Sequence, residues 1–213
     1  MWNRPPDELT LAAGHAHVWR IALDELTPER HEADLSPEEA SRRFLRPGLR
    51  ERHVCAHGAL RRILSRYCGI DPRAIAFRQG EHGKPYLEPE CRVRFNLSHS
   101  RGLAMVAVTL DREIGADVEH IRAVGELLDI AKRMFSPADA AAIAALPADR
   151  RMPAFFRCWT RMEAHLKATG GGLGDHPPNE GWSIQELEPG DDYLAAIAIE
   201  GEPIEIATWE YRE

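Results

Sequence analysis

A short helix-start sequence, Ser-Pro-x-x-Ala, occurs twice in this chain, and the two copies lie 100 residues apart. The copies at Ser36–Ala40 and Ser136–Ala140 each place serine at an N-cap and proline at the first helical position. A longer helix with one apolar face follows each copy. Such an echo favours an α+β fold with two similar halves, residues 1–111 and 112–213, and a site at their junction. The alternative is chance, because Ser-Pro begins many unrelated helices.

The spacing of apolar residues predicts the individual elements. The predicted strands are His15–Leu23, Ile75–Phe77, Val93–Leu97, Leu103–Leu110 and Ile114–Glu119, the last returning beside its predecessor, and a closing hairpin begins at Tyr193. The predicted helices begin at Ser36, Arg50 and Ser136, and a further helix contains Trp159. Residues 80–87 read as a turn-rich connection and residues 98–102 as a loop. This mixture of elements indicates the α+β class.

Composition narrows the possible functions. The 213 residues carry 27 basic and 34 acidic side chains, and a net charge of −7 does not suggest general nucleic-acid binding. No apolar run approaches the roughly 20 residues that cross a bilayer, and the N-terminus has no apolar signal segment. The four cysteines are scattered, which is typical of a reducing compartment. We therefore expect a cytoplasmic protein.

One stretch is basic despite the acidic total. Between residues 42 and 66 the sequence has many arginines but one acidic residue, Glu51. The arginines are Arg42, Arg43, Arg46, Arg50, Arg52, Arg61, Arg62 and Arg66. A local basic patch suits a phosphorylated small molecule or an acidic partner. A solvated helix face explains the same pattern equally well.

The stretch WTRMEAHLKATGGGL, from Trp159 to Leu173, predicts an amphipathic helix with a glycine exit. Glu163 and Lys167 are one turn apart, and Gly170 is a plausible C-cap. Glu163 follows an apolar position and lies one helical turn after Trp159 on the same side of the helix. Its carboxylate should therefore border the buried face. A half-buried carboxylate needs a hydrogen-bond donor or a cation as its partner.

Two further acids lie in IGADVEH, the predicted strand from Ile114. Alternate side chains share one face of a strand, so Asp117 and Glu119 should point the same way, while Ile114, Ala116 and Val118 can face the core. Two carboxylates on one face suit Mg²⁺, which proteins hold with carboxylates, substrate phosphates and water. The polar side of an ordinary amphipathic strand is the plainer interpretation.

Two other groups offer phosphate-binding chemistry. FNLSHS places Ser98, His99 and Ser100 at the mouth of a strand, where hydroxyls, an imidazole and backbone amides can bind phosphate. HGKPY offers one cation, Lys84, in a turn stiffened by Pro85. Taken alone, FNLSHS is more simply interpreted as an ordinary loop, and HGKPY as a turn with an exposed lysine.

The order of these motifs resembles that of the Sfp-type 4′-phosphopantetheinyl transferases. GKP, FNLSHS, GADVE and WTRMEAHLKATGGGL follow one another as in that family, and HVWRI is similar to its first strand. The resemblance implies a pseudo-dimer of two α+β halves that binds coenzyme A and Mg²⁺, with Mn²⁺ as an alternative, in the cleft between them. It implies transfer of the phosphopantetheine arm of coenzyme A to a serine of an apo acyl or peptidyl carrier protein, with release of 3′,5′-ADP.

The resemblance also implies roles for individual residues. Asp117, Glu119 and Glu163 would be metal ligands, and Glu163 could also act as the base. Lys167 would bind the pyrophosphate and stabilise charge on the departing ADP. The coenzyme A contacts would come from Arg52, Lys84, Pro85, Ser98, His99 and Lys167. A monomer without nucleic-acid or membrane partners is expected by analogy.

This sequence departs from the family pattern in ways that keep alternatives open. Met162 stands where the family usually has lysine, and Ala116 replaces a larger residue. Basic residues of the family lack counterparts at Ser36 and Glu39, although Arg42, Arg43 or Arg46 could compensate.

A metal-dependent phosphoester hydrolase and a non-catalytic module that binds coenzyme A or a carrier are the two rival functions. The sequence does not identify the carrier among those of polyketide, non-ribosomal peptide and fatty-acid synthesis.

Overall fold

The computed structural model describes residues 2–46, 48–80, 82–172, 178 and 180–213. Within these ranges the strands are β1 His15–Ala22, β2 Ala76–Gln79, β3 Pro85–Glu88, β4 Val93–Ser100, β5 Leu103–Leu110, β6 Ile114–His120, β7 Trp182–Leu187, β8 Tyr193–Glu200 and β9 Glu205–Glu210. The α-helices are α1 Pro28–Glu32, α2 Pro37–Ser41, α3 Leu49–Cys68, α4 Leu127–Met134, α5 Pro137–Ala145 and α6 Ala148–Thr169. The predicted α+β class is confirmed.

The helix ends follow the sequence signals. Ser36 caps α2 through a complete capping box with Glu39, and Ser136 caps α5 in the same position relative to its proline. The long helix α3 ends at Gly69, whose φ of 66° is in the left-handed region that glycine adopts without strain. Both copies of the repeated helix start therefore behave as predicted, while the similarity of the two halves remains a prediction.

The strands form two principal sheets and one hairpin. The first sheet has the order β4-β5-β1-β9, the second has the order β6-β8-β7, and β2 pairs with β3. The two principal sheets pack face to face, with α3 covering the outer face of the first and α6 the outer face of the second.

Side-chain alternation divides each strand between two cores. In β1, Trp19 and Ile21 contribute to the core beneath α3, whereas Ala16 and Val18 face the second sheet. In β6, the apolar residues Ile114, Ala116 and Val118 face the first sheet, as predicted. The intervening residues of β6, including the two acids, consequently face α6.

Small residues allow α6 to lie unusually close to the second sheet. Ala164 and Ala168 of the helix pack on Ala196 and Ala198 of β8. At Gly115 of β6, an added Cβ would lie 2.1 Å from the carbonyl oxygen of Ala164 and 2.4 Å from the amide nitrogen of Ala168. Only glycine fits there, and this contact sets the distance between the acids of β6 and the side chains of α6.

Several predictions of strand pairing were wrong. The chain does not close in a hairpin, because β9 pairs in parallel with β1 and β8 pairs with β6. Strand β6 does not return beside β5 but begins the second sheet. These pairings depend on contacts between distant segments, which local periodicity does not report.

Other differences concern the ends and number of elements. Residues 98–100 were predicted to be a loop, yet β4 continues through Ser100. The predicted connection at residues 80–87 contains most of β3, and the short strand predicted at Ile75 is displaced to Ala76–Gln79. Strand β7 and helix α4 were not predicted. Leu173, the last residue of the glycine-rich motif, lies outside the described residues.

Among the described residues, no helix is both long enough and apolar enough to span a membrane.

Candidate functional site

Polar side chains of β4 connect the two sheets at the candidate site. The three residues involved alternate along the strand and are Asn96, Ser98 and Ser100. Their side-chain oxygens accept hydrogen bonds from the backbone amides of Ala116, Val118 and His120, at 2.9, 3.3 and 3.2 Å respectively. Side chains here take the place of a backbone ladder, so the register of β6 against β4 is fixed at the point where β6 carries its two acids.

The same serines donate to those acids. Ser98 Oγ lies 2.9 Å from Oδ1 of Asp117, and Ser100 Oγ lies 2.7 Å from Oε2 of Glu119. The two predicted phosphate-binding serines therefore face the second sheet in this structure and hold the carboxylates of β6. This geometry agrees with the prediction that the side chains of Asp117 and Glu119 lie on the same face of β6.

Asp117 lies at the centre of the arrangement. Its side chain is almost fully buried, with 4% of the residue exposed, and Lys167 Nζ from α6 lies 2.6 Å from its Oδ1 atom. Burial raises the pKa of Asp117, against the opposing effects of Lys167 and Ser98. Its other oxygen, Oδ2, is buried and has no hydrogen-bond partner among the described residues. A buried, unpaired carboxylate oxygen is the type of atom that a hard cation binds.

Helix α6 brings Glu163 and Lys167 to the same place. Glu163 is half-buried at the border of the apolar face, as its position in the helix predicted. Burial raises the pKa of Glu163, Lys167 lowers it, and the negative charges of Asp117 and Glu119 raise it further. The three acids and the lysine therefore share one electrostatic environment.

The environment of Glu119 includes a residue that sequence reasoning missed. Arg122 Nη1 lies 2.7 Å from Oε2 of Glu119, and the guanidinium group also lies over the ring of Phe156. Among the residues described, no three His, Cys, Asp or Glu side chains are close enough together to constitute a metal site. The three-carboxylate site thus remains a prediction, with the orphaned Asp117 oxygen as the structural feature that fits a cation.

The middle of helix α6 is held in place by aromatic packing. Trp159 stacks on Phe155 at a centroid distance of 5.8 Å and meets the edge of Phe135 at 6.4 Å. Met162, which stands at the usual lysine position of the resembled family, packs against the same apolar cluster. Arg161, the basic residue next to Met162, lies 4.0 Å from Glu186.

The remaining residues predicted to bind coenzyme A do not all meet at Asp117. Arg52 makes a two-pronged ion pair with Asp24 at 2.8 and 2.9 Å, and Asp24 is the leading cause of its raised pKa. Pro85 begins β3, and the preceding Lys84 is buried against other protein groups. His99 is exposed on β4. The pKa of its imidazole is lowered first by desolvation from the surrounding protein groups and then by the nearby charges of His57, Lys167 and Arg42.

A cluster on α2 and α3 beside His99 was not predicted. The rings of His53 and His57 are 4.1 Å apart, and His57 Nδ1 lies 3.2 Å from Oε1 of Glu39. Glu39 also accepts a hydrogen bond from buried Arg61 at 2.8 Å. A run of acids and bases gives no sign in the sequence of which of them will be buried together.

The predicted basic patch is consequently divided. Arg61 is buried, and three other members form ion pairs with acids of the first half: Arg50 with Glu32, Arg52 with Asp24 and Arg62 with Asp34. Arg42, Arg43 and Arg46 are exposed. Arg42 contributes to the field at His99, so part of the patch does lie near the site.

Comparison with known proteins identifies the family. The model of the 4′-phosphopantetheinyl transferase superfamily matches residues 113–210, which include both β6 acids, Glu163 and Lys167. The chain is 37% identical to the 4′-phosphopantetheinyl transferase HetI of Nostoc sp. strain PCC 7120, over 99% of this chain and 98% of HetI. This chain belongs to the 4′-phosphopantetheinyl transferase superfamily. The resemblance seen in the sequence motifs is confirmed, as is the assignment as an enzyme.

Two relatives from Bacillus subtilis extend the comparison. A 4′-phosphopantetheinyl transferase is 31% identical over 82% of this chain and 75% of its own length. The transferase Sfp of strain 168 is 31% identical over 68% of this chain and 64% of its own length. As a phosphopantetheinyl transferase, the protein uses coenzyme A as the donor of the transferred group.

Proposed function

We propose that this enzyme transfers the 4′-phosphopantetheine arm of coenzyme A to a serine of an apo acyl or peptidyl carrier protein and releases 3′,5′-ADP. The serine oxygen forms a bond to the β-phosphorus of the pyrophosphate, and the bond from that phosphorus to the bridging oxygen of ADP breaks. The observation that carries the proposal is the buried contact of Asp117 with Lys167 and Ser98, made by residues within the motifs of the family.

Asp117, Glu119 and Glu163 are the residues proposed to hold a divalent cation, Mg²⁺ or Mn²⁺. The unpaired Oδ2 atom of Asp117 supports this assignment, because a buried carboxylate oxygen without a donor is costly unless a cation binds it. When bound, the cation would neutralise charge on the pyrophosphate.

The chain's own cations and donors are proposed to bind the rest of coenzyme A. Lys167 is partly exposed and already contacts the Asp117 and Ser98 side chains, so it is placed to stabilise negative charge on the departing ADP. We propose His99 for the phosphates, Pro85 for the nucleotide and Arg52 for the 3′-phosphate. Ser98 donates its one O–H to Asp117 and accepts from Lys167, so we propose that it positions Lys167 for the phosphates. Phosphoryl transfer depends mainly on such positioning and charge neutralisation.

Glu163 is the proposed base for the serine hydroxyl. In the metal-free protein, burial and the neighbouring acids raise its pKa. With a cation bound, the carboxylate oxygen that does not bind the cation would accept the serine proton. We propose that residues 1–111 supply most coenzyme A contacts and residues 112–213 the acids, in a monomer that works in the cytoplasm.

One assay distinguishes this function from its rivals. The protein is incubated with coenzyme A, Mg²⁺ and an apo acyl carrier protein or an apo peptidyl carrier domain, and the carrier is weighed by mass spectrometry. Addition of one phosphopantetheine arm is expected. Release of 3′,5′-ADP with unmodified carriers would indicate a hydrolase, and binding of coenzyme A without either product would indicate a non-catalytic module.

A further inference from the structure

Lys84 is a buried lysine whose ammonium group contacts protein acceptors on two other elements. Only 8% of the residue is exposed. Its Nζ atom lies 2.6 Å from Oε2 of Glu113, 3.2 Å from the carbonyl oxygen of Ile114 and 2.6 Å from the carbonyl oxygen of Ala168. A lysine ammonium has three N–H donors, so these three acceptors use its whole donor capacity.

The acceptors lie where β6 meets α6. Ile114 is the first residue of β6, Glu113 immediately precedes it, and Ala168 is in the last turn of α6. The carbonyl groups of a last helical turn lack partners within the helix and carry partial negative charge. Lys84 therefore donates to a carbonyl of the last turn of α6 and joins it directly to the start of β6.

This junction adjoins the proposed active site on both elements. Ala168 follows Lys167 directly, and Ile114 precedes Gly115, where the backbones of β6 and α6 make their closest contact. Asp117 lies farther along the same strand. A shift of α6 along β6 would change the distance between Lys167 and Asp117, which the Lys84 contacts oppose.

We propose that Lys84 is a positioning residue, which fixes the last turn of α6 against the start of β6 and thereby holds Lys167 and Asp117 in register for transfer. This inference rests on the proposed function. It differs from the expectation that the Lys84 ammonium binds coenzyme A itself, because that group is committed to protein acceptors in the structure. The neighbouring Pro85 remains available for the nucleotide.

The test compares Lys84→Met with wild type in the full-length protein. Methionine keeps an unbranched apolar stem but removes all three donors. The kcat for transfer to the carrier that wild type modifies is expected to fall about 10–100-fold, since small displacements of reacting groups cost this much. The Kd for coenzyme A, measured by isothermal titration calorimetry, should change by less than about threefold. Lys84→Arg, which retains donors and charge, should recover part of the lost kcat.

Two further variants make the comparison decisive. Lys132→Met removes an exposed lysine whose ion pair with Asp129 is 3.6 Å long, and its kcat and Kd should match wild type. Glu113→Gln weakens one of the three Lys84 contacts and should lower kcat in the same direction but less. If Lys84→Met does not fold, the kcat and Kd of Glu113→Gln and Lys84→Arg test the proposal in its place.

A Kd for coenzyme A weakened tenfold or more, with kcat unchanged at saturation, would overturn the proposal and assign the ammonium to ligand binding. Unchanged kcat and Kd in folded Lys84→Met would overturn it as well. If wild type itself modifies no carrier, the proposed function fails instead, so the two failures are distinguishable.

Discussion

Lys167 Nζ on α6 lies 2.6 Å from Oδ1 of Asp117 on β6, although 50 positions separate the two residues in the sequence. Ser98 on β4 contacts both of them, at 3.1 Å from Lys167 and 2.9 Å from Asp117. Three motifs that are distant along the chain thus meet through one lysine, one carboxylate and one hydroxyl. The arrangement leaves the second Asp117 oxygen buried and unpaired among the described residues, which is unfavourable for folding and useful for binding a cation.

Replacement of Asp117 should therefore separate stability from activity. Burial raises the pKa of Asp117, which means that its charge destabilises the folded protein. Asp117→Asn removes that charge, and the partly exposed Lys167 can be hydrated. We expect a free energy of unfolding equal to wild type or higher by about 1 kcal/mol, measured by urea denaturation at pH 7 without added metal, together with loss of transfer. A loss of several kcal/mol in this variant would show that the Asp117 charge stabilises the fold.

Gly115→Ala tests the close contact of β6 with α6. A methyl group at this position would overlap the backbone of Ala164 and Ala168, which cannot move without displacing the helix. We expect the free energy of unfolding to fall by about 3 kcal/mol or more. Gly125→Ala is the matched control, because nothing lies within 4 Å of its added Cβ, and it should change stability by no more than about 0.5 kcal/mol. Equal urea midpoints for the two variants would contradict the packing described here.

A buried histidine predicts how stability depends on pH. His17 is 6% exposed and contacts Tyr67 Oη at 2.8 Å, and burial followed by the charge of His15 lowers its pKa from 6.5 to about 4. Since the unfolded chain binds this proton more readily, the stabilisation is complete above pH 6.5 and is lost as the pH falls towards 4. Between pH 7 and pH 5 the loss from His17 should be about 2 kcal/mol.

His17→Gln is the variant that isolates this contribution. Its free energy of unfolding should fall less between pH 7 and pH 5 than that of wild type, whatever its absolute stability. The pKa of Glu39 is lowered to about 2, so this residue loses its stabilising charge only below the tested range. Parallel pH profiles for wild type and His17→Gln would show that His17 does not titrate as described.

The sequence was most informative where a single element determines the outcome. The alternation in β6 correctly placed Asp117 and Glu119 on the face opposite Ile114 and Val118, because strand geometry alone decides this. Helix periodicity likewise placed Glu163 at the border of the buried face of α6. Neither inference required knowledge of what packs against the element.

Contacts between distant elements were less accessible. Ser98 and Ser100 have the composition of a loop, yet they extend β4 because amides and carboxylates of β6 satisfy their hydroxyls. The pairing of β9 with β1 joins the two ends of the chain and leaves no local pattern. The three donors of Lys84 were read as an exposed charge because the acceptors come from β6 and α6.

The most direct test of the proposed active site is the rate of phosphopantetheine transfer by Asp117→Ala and by Glu163→Ala. Each purified variant is given coenzyme A, Mg²⁺ and the apo carrier that wild type modifies, and the mass of the carrier is followed with time. Circular dichroism confirms that each variant is folded. We predict that both variants lose nearly all transfer activity, by at least about 10²-fold. Transfer at the wild-type rate by either folded variant would contradict the assignment of these acids to the active site.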